Sequence, residues 1–324
     1  MKKAFLFPGQ GAQAIGMGAD IYHAFPVAAK IYDKANEILG FDLSKLCFEG
    51  PAEELNSTAI SQPAIFTTSA ALLEVLRTEL PAQELEPDVT AGLSLGEYTA
   101  LYAAGVFSFE DTLVLVQKRG KAMQEAADEN GGEMVSIIGL DEDKVRLLCE
   151  VVLEGGQESE SDEAEEMPLI EPVNFNCPGQ IVLSGTKAAC KRAKDLALHH
   201  GAIKAVRLDV AGAFHTSMMS SAADALKEAI SHCTIAQPTK SKIIANINAQ
   251  FYQSSEEIAQ GLVKQLTSPI LWQKCMERLL DEGVDEYYEI GPGRVLTGLM
   301  KRISRKTPVF NISTAQSIKE FLKR

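Results

Sequence analysis

Residues 88–104 read D-V-T-A-G-L-S-L-G-E-Y-T-A-L-Y-A-A, an apolar strand pattern that runs into G-L-S-L-G and then into a helical pattern. Gly92, Ser94 and Gly96 form G-x-S-x-G. A serine in this setting sits on a sharp strand-to-helix turn, where crowded backbone excludes Cβ atoms on both sides and the hydroxyl projects at the strand's carboxyl end. The amide of Leu95 opens the helix, so its N–H is free to face an oxyanion formed at an acyl group on Ser94. Ser94 is therefore the candidate nucleophile around which the chain is read.

Upstream, residues 3–7 are apolar enough for a buried strand, and P-G-Q-G-A-Q follows at once as a Gly-bearing turn. This loop lacks the G-K-[ST] ending and the G-x-G-x-x-G spacing of nucleotide sites. At the end of a parallel strand it can instead offer backbone N–H groups to a neighbouring site. Helical periodicity covers residues 19–39 and 61–80, the latter broken by Pro63 near its start and Pro81 after its end.

Downstream, a helix over about Ser108 to Asp128 carries one arginine on its apolar stripe. At 100° per residue, Leu115, Val116, Ala122, Met123 and Ala126 fall within about 60° of Arg119, with Gln117, Lys121 and Gln124 opposite. A buried guanidinium without a partner is costly, so Arg119 either makes a structural ion pair or holds an anion in an acid-recognising pocket beside Ser94.

From Asn130 the pattern changes. G-G-E-M-V-S-I-I-G-L predicts a strand, Asp141 to Leu153 a helix, V-N-F-N-C-P-G-Q-I-V-L-S-G a hairpin, Lys187 to His200 a helix and I-K-A-V-R-L a strand. This β-α-β-β-α-β order is a split βαβ unit of ferredoxin-like type, residues 130–207, inserted in a discontinuous large domain of residues 1–129 and 208–324. Within the insert, residues 154–166 hold seven acidic and no basic residues, more than half of the net charge of −13. The stretch 154–167 reads as a solvated acidic loop, with a regulatory role as the alternative.

After the insert, D-V-A-G-A-F-H-T-S places His215 in a Gly-bearing loop at a helix start. His23, His199, His200 and His232 lie in or near helical patterns without turn chemistry and read as surface residues. An imidazole presented by a loop is the usual base for a serine nucleophile, so His215 is the candidate partner of Ser94. K-I-I-A-N-I-N-A-Q predicts a further buried strand, I-A-Q-G-L-V-K-Q-L a helix stopped before Pro269, and V-D-E-Y-Y-E-I-G-P-G a strand ending in a turn. Alternation of strands with helices places the large domain in the α/β class with a mostly parallel sheet.

At 324 residues and 46% hydrophobic content the chain can bury a large core. Six dispersed cysteines without a C-x-x-C pair suggest neither a zinc ribbon nor a disulfide framework, and no metal site is expected. The N-terminus is too short in apolar residues for a signal-peptide core, and no stretch is read as a membrane span. The expected location is the cytoplasm, or an organelle matrix if a transit peptide has been removed. A net charge of −13 argues against nucleic-acid and anionic-membrane partners.

With these pieces assembled, the chain resembles, nearly end to end, the malonyl-CoA:acyl carrier protein transacylases, free-standing acyltransferases of type II fatty acid synthesis. The resemblance rests on F-P-G-Q-G-A-Q, G-L-S-L-G-E-Y, Q-K-R-G-K-A-M, P-V-N-F-N-C-P-G-Q, G-A-F-H, V-K-Q-L-T-S-P-I-L-W and E-I-G-P-G-R-V-L-T-G-L. It implies an α/β-hydrolase-like large domain with the ferredoxin-like insert as its lid. It also implies that Ser94 is acylated by malonyl-CoA, and that His215 takes its proton and later activates the phosphopantetheine thiol of acyl carrier protein, in a ping-pong scheme. Gln10 and Leu95 would supply backbone N–H groups to the oxyanion, Arg119 would hold the malonyl carboxylate, Met123 would line the pocket and Gln265 would orient His215 through its carbonyl. No acidic third member and no cofactor are implied, the CoA thioester being a substrate, and a monomer is expected.

Two features depart from the pattern. Leu93 stands where many relatives carry His, a side chain with no assigned proton transfer. The acidic loop is longer than usual and would repel an acidic carrier unless it points away. Lys187, Lys191, Arg192 and Lys194 could form a docking surface or simply a solvated helix face.

A Ser–His pair in an α/β fold also describes a serine esterase, and the fold alone does not decide. Arg119 tilts the choice toward an acid-selective acyl transfer, because losing a buried charge pair costs about 3 to 5 kcal/mol. By analogy with related polyketide acyltransferases, Phe214 before His215 goes with malonyl, where Ser goes with branched extenders. A carrier-binding module without activity would require a broken constellation, and Ser94, His215, Arg119 and Gln10 are all present.

Overall fold

In the computed structural model of this chain, residues 1–81, 85–155 and 168–323 are described. Their strands are β1 (Lys2–Phe7), β2 (Val89–Gly92), β3 (Glu133–Ile138), β4 (Ile170–Cys177), β5 (Gln180–Gly185), β6 (Lys204–Arg207), β7 (Lys242–Ile243), β8 (Val284–Ile290) and β9 (Val309–Ile312). They make two sheets. The first is wholly parallel, in the order β7-β2-β1-β8-β9. β1 lies at its centre, and its two faces feed different cores: Phe5 and Phe7 pack into one apolar cluster, Ala4 and Leu6 into another. Burial on both faces is why residues 4–7 of this strand are all apolar and alternation is weak.

The pairing of β1 with β2 sets Phe7 opposite Gly92. The loop after β1 and the turn after β2 therefore emerge side by side at the carboxyl ends of their strands, the usual place for a site in a parallel sheet.

The second sheet is antiparallel, in the order β4-β5-β3-β6, with all its strands between Glu133 and Arg207. Helices Glu142–Glu154 and Lys187–Ala197 complete the βαββαβ sequence of a ferredoxin-like unit. Its core is apolar, with Val135, Ile137, Val145, Leu148, Leu183, Cys190 and Ala193 among the buried residues. β4 is joined to the segment before helix Trp272–Asp281 by Phe175 N–H donating to Ile270 O at 2.9 Å and Ile270 N–H donating to Val173 O at 2.7 Å. The Arg302 guanidinium also holds the β4–β5 turn, donating to Pro178 O and to Gln180 Oε1.

Several expectations are corrected. The helix expected over 61–80 runs Thr58–Glu79 and continues through Pro63. This helix is also long and apolar enough to cross a membrane, against the expectation that no stretch is, with 83% of its most apolar window buried within the protein. From Ser61 to Leu73 every residue of it is buried, which is why its apolar side chains are not confined to one stripe. The helical pattern over 19–39 splits into Ala19–Ala24 and Pro26–Leu39, with Phe25 extended before the proline. The buried strand expected over K-I-I-A-N-I-N-A-Q shrinks to Lys242–Ile243, because the chain then turns, with Ala249 at φ 54°. Among the other histidines, His200 is half-buried where a surface position was expected, and His23, His199 and His232 are exposed. The acidic stretch 154–167 lies outside the described residues apart from Glu154 and Gly155.

Candidate active site

The turn after β2 is built by close backbone approach. A Cβ on Gly92 would stand 1.9 Å from Gly96 C, and one on Gly96 would stand 2.1 Å from Phe7 O. Neither position tolerates a side chain, which is the physical content of G-x-S-x-G. Ser94 itself sits at φ 51°, in the left-handed region that a non-glycine residue occupies only when its surroundings impose it. Asn246 imposes it here: its Oδ1 accepts from the Ser94 N–H at 2.7 Å, and its Nδ2 donates to Gly92 O at 2.8 Å. Helix Gly96–Ala103 follows directly.

His215, also left-handed at φ 64°, faces the serine from the loop before helix Ser220–Ser231. Its Nε2 lies 3.0 Å from Ser94 Oγ and its Nδ1 lies 2.8 Å from the main-chain oxygen of Gln265. A carbonyl oxygen only accepts, so the proton of the neutral ring is on Nδ1 and the Nε2 lone pair faces the hydroxyl. Burial and the nearby Arg119 charge push the His215 pKa down to about 4. The imidazole is thus neutral at pH 7 and ready to accept a proton.

Arg119 projects from helix Phe109–Asn130 into the same space and is 1% exposed. Its Nη1 donates to Gln62 Oε1 at 2.7 Å, and its Nη2 to Gln265 Oε1 and Ser94 Oγ, each at 3.0 Å. Its guanidinium carbon lies 5.3 Å from the centre of the Tyr98 ring. Among the described residues it has no carboxylate within ion-pair distance, and its buried Nε–H has no acceptor. Of the two readings of Arg119, the structural ion pair is therefore absent among the described residues.

Gln62 reaches Arg119 from helix Thr58–Glu79, which crosses the arginine helix closely: a Cβ on Gly120 would stand 2.6 Å from Thr58 O. Gln62 Nε2 also meets Met123 Sδ at 3.4 Å, which places the buried Met123 beside the guanidinium. Gln10 lies half-buried in the loop after β1, its side chain donating to Thr58 Oγ1 at 3.3 Å. The turns bearing Gln10 and Leu95 adjoin, because a Cβ on Gly9 would stand 2.2 Å from Leu93 O. The half-buried Leu93 packs against the core on one face of the parallel sheet.

Gln265 ends helix Ser255–Gln265 and joins these parts. Its carbonyl meets His215, its Oε1 meets Arg119, and its Nε2 donates to Ser94 O at 3.1 Å and to Glu97 Oε2 at 2.6 Å. Glu97 is wholly buried, accepts also from Tyr252 Oη at 2.6 Å and from Asn246 N–H at 3.2 Å, and burial pushes its pKa up to about 7.

The structure brings together Ser94, His215, Arg119, Met123 and Gln265, with the Gln10 and Leu95 turns alongside. Sequence reading missed Gln62, Glu97, Asn246 and Tyr252. A polar residue inside an apolar pattern was the available signal for Gln62, between Ser61 and Pro63, and for Asn246, in I-I-A-N-I. Glu97 and Tyr252 carried none, since a glutamate in a first helical turn ordinarily faces water.

The family described as acyl transferase domain matches residues 4–321, nearly the whole chain. The malonyl CoA-acyl carrier protein transacylase of Bacillus subtilis is 41% identical over 317 residues, which are 98% of this chain and 95% of that protein. The Escherichia coli K12 protein of the same name is 42% identical over 300 residues, 93% and 92% of the two chains. Among solved structures, the Coxiella burnetii transacylase superposes with a TM-score of 0.92 at 34% identity, covering 100% of this chain and 98% of that one. A malonyl-transacylase solved in complex with its type II PKS acyl-carrier protein gives 0.91 at 39% identity, covering 100% and 99%. The chain belongs to the malonyl CoA-acyl carrier protein transacylase family.

Proposed function

We propose that this protein moves malonyl from CoA to the phosphopantetheine thiol of acyl carrier protein, in fatty acid biosynthesis, through a malonyl-Ser94 intermediate. The observation that carries the reading is Arg119: a buried cation without an acidic partner among the described residues, 3.0 Å from the hydroxyl to be acylated. A malonyl carboxylate supplies the missing anion, and the unpaired Nε–H supplies a donor for it.

In the first half-reaction, Ser94 Oγ attacks the thioester carbonyl while its proton passes to His215 Nε2. The Gln10 and Leu95 backbone N–H groups receive the developing oxyanion, and Gln265 O holds the imidazolium through Nδ1–H. Collapse expels CoA, whose sulfur takes the proton back from His215. In the second half-reaction His215 removes the proton of the carrier thiol, the sulfur attacks malonyl-Ser94, and the serine leaves with that proton. No cofactor enters the scheme, the CoA thioester being a substrate. In the same reading residues 130–207 form the lid, Met123 lines the acyl pocket, and the protein acts as a cytoplasmic monomer.

Intact-mass measurement after mixing with malonyl-CoA, or separately with acetyl-CoA, tests this without any carrier. The expected result is a malonyl adduct on the wild type, absent in Ser94→Ala and lost or exchanged for acetyl in Arg119→Ala. Steady CoA release with no adduct would instead favour a hydrolase, and neither adduct nor release would favour an inactive carrier-binding module.

A further inference from the structure

Glu97 makes no contact with the reacting atoms of the scheme, yet it bonds Gln265 and Asn246, which in turn hold His215, Arg119 and Ser94. One of its oxygens takes two N–H donors, Gln265 Nε2 at 2.6 Å and Asn246 N at 3.2 Å; the other takes Tyr252 Oη at 2.6 Å. Tyr252 is itself fixed, because its ring fills the space above Gly261, where a Cβ would stand 2.4 Å from its oxygen.

The consequence lies in the Gln265 amide. An amide has one donor end and one acceptor end, and either could face Arg119. With Nε2 committed to Glu97, Oε1 must face the guanidinium, as it does at 3.0 Å. Were the amide turned over, two donors would meet at Arg119, and Glu97 would face an acceptor. Asn246 is held from the same carboxylate oxygen, and through it the strained Ser94 N–H.

We infer that Glu97 is a positioning residue, which sets the orientation of the Gln265 amide and of Asn246 and thereby places Arg119 for a malonyl carboxylate and Ser94 for attack. It works by accepting hydrogen bonds at a defined place, rather than as a counter-charge. A neutral acceptor of the same length suffices: the Oε1 of a glutamine can take both N–H donors, while its amide nitrogen donates to the Tyr252 oxygen. A shorter carboxylate does not suffice, because losing one methylene withdraws the acceptor by about 1.5 Å and breaks the 2.6 Å bond.

This inference rests on the malonyl-transfer reading, and two conservative variants test it. Malonyl- and acetyl-adduct formation is followed by rapid-quench mass measurement for the wild type, Glu97→Gln and Glu97→Asp, with thermal midpoints recorded alongside. Glu97→Gln is expected to rescue the preference for malonyl to within about threefold of the wild type, whereas Glu97→Asp loses it by about tenfold or more, through a higher KM for malonyl-CoA. A counter-charge role would give the opposite order, with Asp retaining the preference and Gln losing it, and would overturn the inference. Equal loss in both variants, or lower midpoints with the preference unchanged in both, would reduce Glu97 to a structural residue and also overturn it. A wild type that forms no malonyl adduct would remove the functional reading itself, and this inference with it.

Discussion

Two buried regions of this molecule are filled by opposite chemistry. The core of the antiparallel sheet is apolar, from Val135 and Ile137 to Leu183 and Ala193. Beneath Ser94, an equally buried volume holds Gln62, Glu97, Arg119, His215, Asn246 and Gln265. Apolar packing gains free energy from every side chain it takes out of water, whereas each buried polar group must recover its desolvation through bonds of defined geometry. The first region is therefore built for stability. The second is held by specific bonds, and it leaves the Arg119 Nε–H without an acceptor among the described residues.

The sharpest way to break this contrast is to alter one polar member and look for a loss of chemistry with little loss of fold. His215→Ala should lower the rate of malonyl-adduct formation by at least about 10⁴-fold, read by rapid-quench mass spectrometry, because the general base and the nucleophile act as a unit. Arg119→Ala should reduce the preference for malonyl over acetyl by roughly 10²- to 10⁴-fold, the equivalent of about 3 to 5 kcal/mol from a lost buried charge pair.

An alteration in the apolar region should show the reverse. Leu183→Ala, at a fully buried position, should cost about 2 to 5 kcal/mol in denaturant unfolding, with kcat/KM of the folded fraction unchanged.

The smallest effect expected is a displaced pH limb. Because the His215 pKa is held down to about 4, the base remains deprotonated as pH falls through 6, and kcat/KM should decline only near pH 4 to 5, not near 6.5. Removing the Arg119 charge removes one cause of that depression, so the limb of Arg119→Ala should move upward. An unmoved limb would mean that burial alone sets it. The same shift has a stability counterpart: between about 4 and 6.5 the unfolded chain binds the proton that the folded imidazole refuses. The His215 contribution is therefore fully present above 6.5 and is lost as pH falls toward 4.

Much of this was legible in the sequence, for reasons tied to particular residues. Gly92 and Gly96 are required by backbone approaches of about 2 Å, so G-x-S-x-G reports a geometry directly. Arg119 stood out because a cation on an apolar stripe breaks the helical period. The βαββαβ order of the insert followed from strand and helix patterns that agree with their local context. The membrane-length apolar helix Thr58–Glu79 and the shortened β7 were misread because their character comes from what surrounds them: protein around most of one, and the Asn246 turn after the other.

By itself, then, the amino-acid sequence determined the class of fold, the turn that presents Ser94, and the placement of His215 and Arg119 on a loop and an apolar helix face. These depend on local periodicity and on steric rules that act over a few residues. Only the tertiary structure decided that Arg119 has Gln62 and Gln265 for partners with no carboxylate within ion-pair distance among the described residues, that His215 takes its tautomer from the Gln265 carbonyl, and that a buried Glu97 orders the amide between them. Glu97 and Gln265 lie 168 residues apart in the chain, and a hydrogen bond of 2.6 Å between such distant groups leaves no periodic trace, because folding alone sets their separation.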